Sequence, residues 1–281
     1  MKILVTGAGG MLGQAVVARL RADGHGVRAH DRTPANLYPG PDSPSDDLVV
    51  GDLRDPAGLD RLLAGVDAVV HAAAIPAPVH EDVFDNNVGS TYHLLEAAGV
   101  LGVRQIVFVS SLSAVGLAWS RRGASPLRVP VTEDHPYVGD DPYGLSKQVG
   151  ELVTATVSNR FGIPAVSLRF PFIGTGERLR HHLAHVQADL GRDRGGLWSW
   201  VDTRDAANAV LAALTRPFDG HAVVNVAAPD TVARVPTAEL LSRYYPQSLV
   251  TEPLEAFAVP VSTRLSRELL GFVPAHTWRQ P

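Results

Sequence analysis

The stretch that decides the fold is MKILVTGAGGMLGQ at residues 1–14, in which a short apolar run leads into four glycines. The common dinucleotide-binding pattern G-x-G-x-x-G, read from Gly7, places Leu12 at its third glycine. Read as G-x-x-G-x-x-G, the stretch puts Gly10 and Gly13 in register. Glycines between a strand and a helix let a pyrophosphate approach the backbone beside the N–H groups of the helix N-terminus. The stretch therefore predicts a nucleotide-binding turn, although a glycine-rich turn without a ligand also fits it.

Short apolar runs rich in valine, isoleucine and leucine alternate with longer helical patterns. Continuous apolar runs of this length are typical of strands buried on both faces of a parallel sheet. Strands are predicted at 3–5, 27–29, 48–50, 68–70, 106–109 and 165–168, and helices at 11–22, 56–64, 82–101, 142–161 and 203–215. This alternation predicts an α/β fold, a doubly wound parallel sheet of the Rossmann type.

The pattern becomes irregular after residue 170, which suggests two parts. We predict an NAD(P)-binding Rossmann domain over residues 1–170 and a small substrate-binding lobe over 171–281, with 203–226 returning to the sheet. Two stretches, 32–47 and 117–141, lack periodicity and are predicted to be long surface loops. Long loops in a compact domain are often functional.

The composition is that of a protein with an ordinary folded core. Of 281 residues, 45% are hydrophobic and 19% charged, and the net charge is −4. This balance gives no case for binding nucleic acid or an anionic membrane surface. The absence of cysteine excludes disulfides, thiolate metal sites and cysteine catalysis. No apolar stretch approaches the roughly 20 residues that span a bilayer, and no leader-like segment precedes the first strand, so we expect a soluble cytoplasmic protein with a small-molecule substrate.

Polar and small side chains follow the second, third and fourth predicted strands, where a dinucleotide would need them. Asp31 closes the second strand, where its carboxylate can bind a ribose 2′-hydroxyl, which favours NAD. The adjacent Arg32 can accept a 2′-phosphate instead and leaves NADP open. After the third and fourth strands come Asp52, Leu53, Ala72 and Ala73. Each of these residues could also have a purely structural role, but structural roles alone do not explain why such residues follow all three strands.

The stretch DDPYGLSKQVGE at 140–151 places Tyr143 and Lys147 four residues apart, on one face of a helical pattern. Because a lysine ammonium stabilises a phenolate, we expect the pKa of Tyr143 to lie below its usual value of about 10, which makes Tyr143 usable as a base. Ser110 and Ser111 end the fifth strand at the sheet edge where α/β proteins bind ligands, and neither lies in a G-x-S-x-G nucleophile elbow. Taken alone, the Tyr–Lys spacing equally fits an exposed pair without function.

Together, TGAGGMLG, the HAAA segment, the serine pair and the Tyr–Lys pair resemble extended short-chain dehydrogenase/reductases of the NAD-dependent epimerase/dehydratase type. The C-terminal STRLSRELLGFVPAHTWR is similar to the ending common in that family. The resemblance implies Ser111 as the substrate-orienting hydroxyl and Tyr143 as the general acid/base. It implies that Lys147 binds the nicotinamide ribose and that homodimers form through helices 82–101 and 142–161.

The residue pattern and the resemblance together give a set of predicted contacts. The predicted cofactor contacts are Gly7, Gly10, Met11, Leu12, Gly13, Asp31, Arg32, Asp52, Leu53, Ala72, Ala73, Asn87, Tyr143, Lys147 and Phe170. The predicted substrate contacts are Ser111, Arg169 and Trp198.

The segment GGLWSWVDTRDAANA at 195–209 bears on the substrate. It resembles a family motif that in many nucleotide-sugar enzymes opens with a diphosphate-binding arginine, whereas Trp198 stands here. This departure and the short lobe favour oxidation of a secondary hydroxyl of a sugar, sugar acid or similar polyol, as in uronate-dehydrogenase-like members. A nucleotide-sugar epimerase or dehydratase and a non-catalytic NAD(P)-binding sensor are the alternatives. His181 and His185 have the spacing of metal ligands, but further ligands are not evident, so we predict no metal site.

Overall fold

The computed structural model describes residues 1–33, 47–78 and 80–279. The strands are β1 (Lys2–Thr6), β2 (Gly26–Asp31), β3 (Leu48–Val50), β4 (Ala68–His71), β5 (Gln105–Ser111), β6 (Arg128–Val129), β7 (Ala165–Phe170), β8 (Phe172–Ile173), β9 (Trp200–Val201), β10 (His221–Asn225) and β11 (Leu249–Val250). The helices are α1 (Met11–Ala22), α2 (Leu59–Leu63), α3 (Val83–Val100), α4 (Pro142–Phe161), α5 (Gly176–Ala188), α6 (Thr203–Thr215), α7 (Thr237–Tyr244) and α8 (Arg264–Leu270).

Seven strands form one sheet in the order β10-β7-β5-β4-β1-β2-β3, and all neighbours are parallel. Helices α1 and α6 pack on one face of the sheet, and α2, α3 and α4 on the other. Because both faces are covered, the strands consist largely of buried apolar residues. The predicted doubly wound α/β fold is confirmed. β10, within the segment predicted to return to the sheet, forms the edge beside β7.

The strand order locates the crevice where a ligand can bind. The chain runs outward from β1 in both directions, through β2 on one side and β4 on the other. In open α/β sheets, ligands bind outside the carboxyl ends of the strands at such a switch point. The glycine turn after β1 and the small residues after β4 therefore meet at this crevice.

A second, smaller group of elements packs around its own hydrophobic core, and we call it the second layer. It contains the two short ladders β8–β9 and β6–β11, together with α5 and α7. Its core includes Trp198, Trp200 and Leu240, each fully buried. The predicted loop at 117–141 includes β6, and residues 34–46 of the predicted loop at 32–47 lie outside the described residues. Among the described residues, no helix combines the length and apolar character needed to span a bilayer.

Candidate active site

The glycine turn connects β1 to α1 in a conformation that two of its glycines require. Gly7 has a φ of +67°, and a Cβ there would lie 2.7 Å from the backbone nitrogen of Ala73. A Cβ on Gly13 would lie 2.0 Å from the carbonyl oxygen of Gly7. Neither close approach tolerates a side chain, so these glycines bring the turn against the segment after β4 and seat α1 on the turn.

The N-terminus of α1 fits a pyrophosphate. Its N-cap is Gly10, and no side chain of the described residues caps the first turn. The first-turn N–H groups of a helix have no intrahelical acceptor, and with the helix dipole they favour an anion. Met11 is 41% exposed at this end, whereas Leu12 is buried in the core under the sheet. The predicted contact of Leu12 is therefore restricted to its backbone.

Asp31 lies directly beside the turn. Its Oδ2 accepts the Gly9 N–H at 3.0 Å, and its Oδ1 accepts the Arg32 N–H at 2.7 Å. The side chain of Arg32 is exposed, and its Nη1 donates to Asn86 Oδ1 at 3.4 Å. The structure thus places a carboxylate next to the glycines, as a ribose hydroxyl requires.

The residues after β3 are held by local contacts. Arg54 binds both carboxylate oxygens of Asp52, with the shortest contact at 2.7 Å, and its hydrogen bonds lower the pKa of Asp52 to about 2. Leu53 is 4% exposed and packs in the core against α2 and α3. The Leu53 side chain is therefore used for packing, and the predicted cofactor contact of Leu53 stays a prediction for its backbone.

The segment after β4 is fixed by Asn87 on α3. Its Oδ1 accepts the Ile75 N–H at 2.8 Å, and its Nδ2 donates to the Ile75 carbonyl and to Ser146 Oγ, both at 3.1 Å. Asn87 is 3% exposed, and its predicted cofactor contact stays a prediction. Its side chain links the segment at Ile75 to Ser146 on the helix that bears Tyr143, whereas Thr6 binds the N–H groups of the half-buried Ala72 and Ala73.

The predicted catalytic side chains meet at the carboxyl end of β5. Helix α4 begins where the Asp141 side chain accepts the Gly144 N–H at 2.7 Å, and this cap places Tyr143 in the first turn. The Ser111 side chain lies close enough to the Tyr143 hydroxyl to lower the pKa of Tyr143. One turn further, Lys147 Nζ donates to the Val109 carbonyl at 2.8 Å and lies 6.0 Å from the centre of the Tyr143 ring.

The electrostatics of this pair differ from the expectation. Burial raises the pKa of Tyr143 to about 12, and the hydrogen bond with Ser111 lowers it by a smaller amount. Burial also lowers the pKa of Lys147 to about 8, against the opposing charge of Glu151. The expected lowering of the phenol pKa is wrong for the protein alone, because removing the phenolate from water outweighs the effect of its neighbours. At neutral pH, Tyr143 is therefore protonated and ready to donate.

A buried ion pair lies behind Lys147. Arg169 binds both carboxylate oxygens of Glu151, at 2.7 and 2.8 Å, and both side chains are 4% exposed. Ser110 Oγ donates to the same carboxylate at 2.6 Å, so Ser110 faces α4 whereas the next residue, Ser111, reaches Tyr143. The substrate contact predicted for Arg169 is wrong, because Glu151 takes up its guanidinium. Sequence reasoning missed Glu151, although its place four residues after Lys147 was a usable signal.

Two further predicted contacts are buried. Trp198 is fully buried in the core of the second layer, where its Nε1 donates to the Leu190 carbonyl at 2.8 Å. Phe170 is 2% exposed and packs in the core under α6. The substrate contact of Trp198 is therefore wrong, because its ring is used for packing. The Phe170 ring is also used for packing, and the predicted cofactor contact of Phe170 stays a prediction for its backbone.

Comparisons with known proteins agree with this geometry. Residues 3–227 match the model of the NAD dependent epimerase/dehydratase family. A uronate dehydrogenase of Pseudomonas putida is 30% identical over 226 residues, which are 79% of this chain and 75% of that protein. An NAD-dependent glucose-6-phosphate dehydrogenase of Haloferax volcanii is 29% identical over 81% of this chain and 86% of that protein. A short-chain dehydrogenase/reductase superfamily protein of Agrobacterium tumefaciens, solved with bound NAD, superposes with a TM-score of 0.73 at 28% identity, over 99% of this chain and 93% of that one.

Proposed function

The chain belongs to the NAD-dependent epimerase/dehydratase family and is an NAD-dependent dehydrogenase or epimerase of the extended short-chain type, and of these two activities we propose the dehydrogenase. In this proposal it oxidises a secondary hydroxyl of a free sugar or sugar acid. The observation that supports the chemistry is the proximity of the Ser111 side chain to Tyr143, one helical turn from Lys147 and at the edge that bears the glycine turn.

The residues of this chain divide the chemistry as follows. Ser111 donates a hydrogen bond to the reacting oxygen of the sugar and aligns it with Tyr143. For the oxidation Tyr143 must first lose its own proton to solvent, and the positive charges of Lys147 and of the bound nicotinamide would stabilise the phenolate. The hydroxyl proton of the sugar then passes to Tyr143 Oη, and in the reverse direction the protonated Tyr143 donates it to the carbonyl oxygen. When bound, NAD supplies the hydride acceptor and the positive charge of its nicotinamide ring. Lys147 adds its own charge and, by resemblance, holds the nicotinamide ribose.

The cofactor we propose is NAD rather than NADP. Asp31 stands beside the glycine turn with its carboxylate already hydrogen-bonded to Gly9, and a 2′-phosphate there would meet a negative charge. Replacing Asp31 with Ala should therefore weaken NAD binding and improve NADP binding. Isothermal titration with both cofactors measures this, and an unchanged preference would refute the assignment.

Two dehydrogenase relatives favour a free sugar or sugar acid, whereas UDP-glucose 4-epimerases that are 32–34% identical over 58–60% of this chain support the epimerase alternative. The names of two relatives given above describe a uronate and a hexose phosphate as substrates, and neither is a nucleotide sugar. At the position where many nucleotide-sugar enzymes have a diphosphate-binding arginine, this chain has Trp198, which is buried in the core of the second layer. Both observations support a small substrate over a nucleotide sugar.

The test is NADH formation from free sugars and uronates, followed by absorbance. The wild type should reduce NAD with at least one of them, and Tyr143→Phe should lose turnover by a factor of about 100 or more while NAD binding persists. Tyr244→Phe, which changes a half-buried tyrosine on α7 in the same way, is the control and should keep full activity. Full turnover by Tyr143→Phe would refute the assignment. Interconversion of UDP-sugars without NADH formation would favour the epimerase.

We also propose that the chain forms a homodimer through α3 and α4. Helices α3 and α4 pack side by side and leave large apolar side chains in solvent. These are Tyr92 at 49%, Leu145 at 40% and Leu152 at 59% exposed. Apolar side chains of this size on two adjacent helices are typical of a face that is covered in an assembly.

A further inference from the structure

Lys147, which the proposed reaction needs as a cation, lies in a buried site. The chain has two lysines, Lys2 and Lys147, and of these only Lys147 is buried. Its Nζ donates to the Val109 carbonyl at 2.8 Å and lies 5.0 Å from the centre of the Phe108 ring. Burial lowers the pKa of Lys147 to about 8, so its charge is retained near neutral pH by a narrow margin. The groups around the ammonium therefore decide whether it stays charged.

Groups from β4, β5 and α4 face the ammonium of Lys147. The ring of His71 on β4 lies 5.8 Å from the Phe108 ring, but burial lowers the pKa of His71 to about 3, so this imidazole is neutral. Tyr143 on α4 is protonated at neutral pH, since burial raises its pKa to about 12. Strand β5 contributes a carbonyl and an aromatic ring. The negative charge that acts on Lys147 is that of Glu151, one helical turn further along α4.

The carboxylate of Glu151 is fixed by three hydrogen bonds. Ser110 Oγ donates to Oε1 at 2.6 Å, and Arg169 donates to Oε1 at 2.8 Å and to Oε2 at 2.7 Å. Ser110 directly follows Val109, whose carbonyl binds the Lys147 ammonium. Side chains of a helix lean toward its N-terminus, so the Glu151 side chain covers the turn that bears Lys147. Neighbouring residues of one strand therefore hold the carboxylate and the ammonium.

The order of the charges across the sheet favours attraction. Lys147 is bound to β5, whereas Arg169 lies on β7, the next strand. Glu151 bridges the two strands, because Ser110 on β5 and Arg169 on β7 both bind it. Neighbouring strands are about 4.8 Å apart, and the attraction of two charges falls with their distance. Glu151 accordingly raises the pKa of Lys147 against the effect of burial, although it is itself paired with a guanidinium.

We propose that Glu151 is a positioning residue that keeps Lys147 positively charged in its buried site. Ser110 and Arg169 hold its carboxylate in place. The proposal rests on the proposed function, because the charge that it preserves acts on Tyr143. Glu151 stands two helical turns, about 12 Å, beyond Tyr143 along α4, so it acts on the phenol through Lys147. Without the carboxylate, Lys147 loses its proton at a lower pH, and the phenolate loses its neighbouring cation.

The experiment measures the charge of Lys147 directly. When lysine is isotope-labelled in the full chain, NMR reports the two lysine side chains, and Lys2 serves as the internal reference. Glu151→Gln keeps the shape of the side chain and should lower the pKa of Lys147 by about one pH unit or more. Glu151→Asp keeps the charge and should leave this pKa close to the wild-type value. Glu268→Gln, which removes an exposed carboxylate from an ion pair on α8, is the control and should leave it unchanged.

The pH dependence of turnover connects this charge to the reaction. If the pKa of Lys147 falls by about one pH unit from about 8, the charged fraction falls about fivefold at pH 8 and hardly changes at pH 6. The kcat of Glu151→Gln for sugar oxidation should therefore be close to the wild-type value at pH 6 and about fivefold below it at pH 8. A loss by the same factor at both pH values would indicate a purely structural role and overturn the proposal.

Two results of the NMR titration would also overturn the proposal. An unchanged pKa of Lys147 in Glu151→Gln would mean that Glu151 only anchors α4, and an equal fall in Glu151→Asp would assign the change to packing. If Glu151→Gln does not fold, the double variant Glu151→Leu with Arg169→Met takes its place, and the pKa of Lys147 should fall there too; an unchanged value would refute the proposal. The titration needs no turnover, so it stays interpretable if the Tyr143→Phe test fails, and the two proposals fail separately.

Discussion

Replacing Arg169 with Met should strongly destabilise the fold. The guanidinium binds both oxygens of Glu151 and also donates to the Glu133 carbonyl at 3.1 Å, and both charged side chains are 4% exposed. Removing one partner leaves the other charge buried without compensation, which costs about 3–5 kcal/mol. A domain is stabilised by about 5–15 kcal/mol in total, so the variant should fold but unfold at a much lower urea concentration.

The double variant Arg169→Met with Glu151→Leu isolates the cause. It removes both charges, so it should be more stable than Arg169→Met alone. Arg264→Met is the control, because its ion pair with Glu268 on α8 is exposed and should contribute no more than about 0.5 kcal/mol. Urea unfolding followed by circular dichroism gives all three values. The reasoning fails if Arg169→Met costs no more than Arg264→Met, or if the double variant is no more stable than Arg169→Met.

Three further predictions concern the turn, the core and the assembly. Gly13→Ala should lower the free energy of unfolding by about 1–3 kcal/mol and abolish NAD binding, since its Cβ would lie 2.0 Å from the Gly7 carbonyl oxygen. Gly58→Ala, where a Cβ meets open space, is the control and should leave Tm unchanged. An equal Tm for both variants would contradict this prediction. His71 is buried between two threonine hydroxyls, and burial lowers its folded-state pKa to about 3. The neutral His71 therefore contributes fully to the free energy of unfolding above pH 6.5, and this contribution falls by about 1.4 kcal/mol per pH unit below pH 6.5. Urea midpoints at pH 7.5 and 5 should therefore differ more in the wild type than in His71→Gln, and equal differences would exclude His71 as the cause. Leu152→Glu should convert the proposed dimer to a monomer in light scattering, and a monomeric wild type would refute the interface.

Much of the fold could be read from the sequence because its signals are local. A strand buried on both faces is apolar at most positions, and the six predicted strands all lie in the sheet. The spacing of the glycines has a local steric cause, since a Cβ at Gly7 or Gly13 would collide with the backbone. The helical spacing of Tyr143 and Lys147 put both on α4 near β5.

What the sequence by itself determined was therefore the sheet, the glycine turn and the placement of Tyr143 and Lys147 on one helix. The tertiary structure alone decided how those side chains are solvated and paired. It put Arg169 against Glu151, buried Trp198 in the lobe, and enclosed Tyr143 so that its pKa rises instead of falling. The physical reason is that strand and helix patterns depend on neighbours along the chain, whereas burial and pairing of charges depend on groups far apart in sequence.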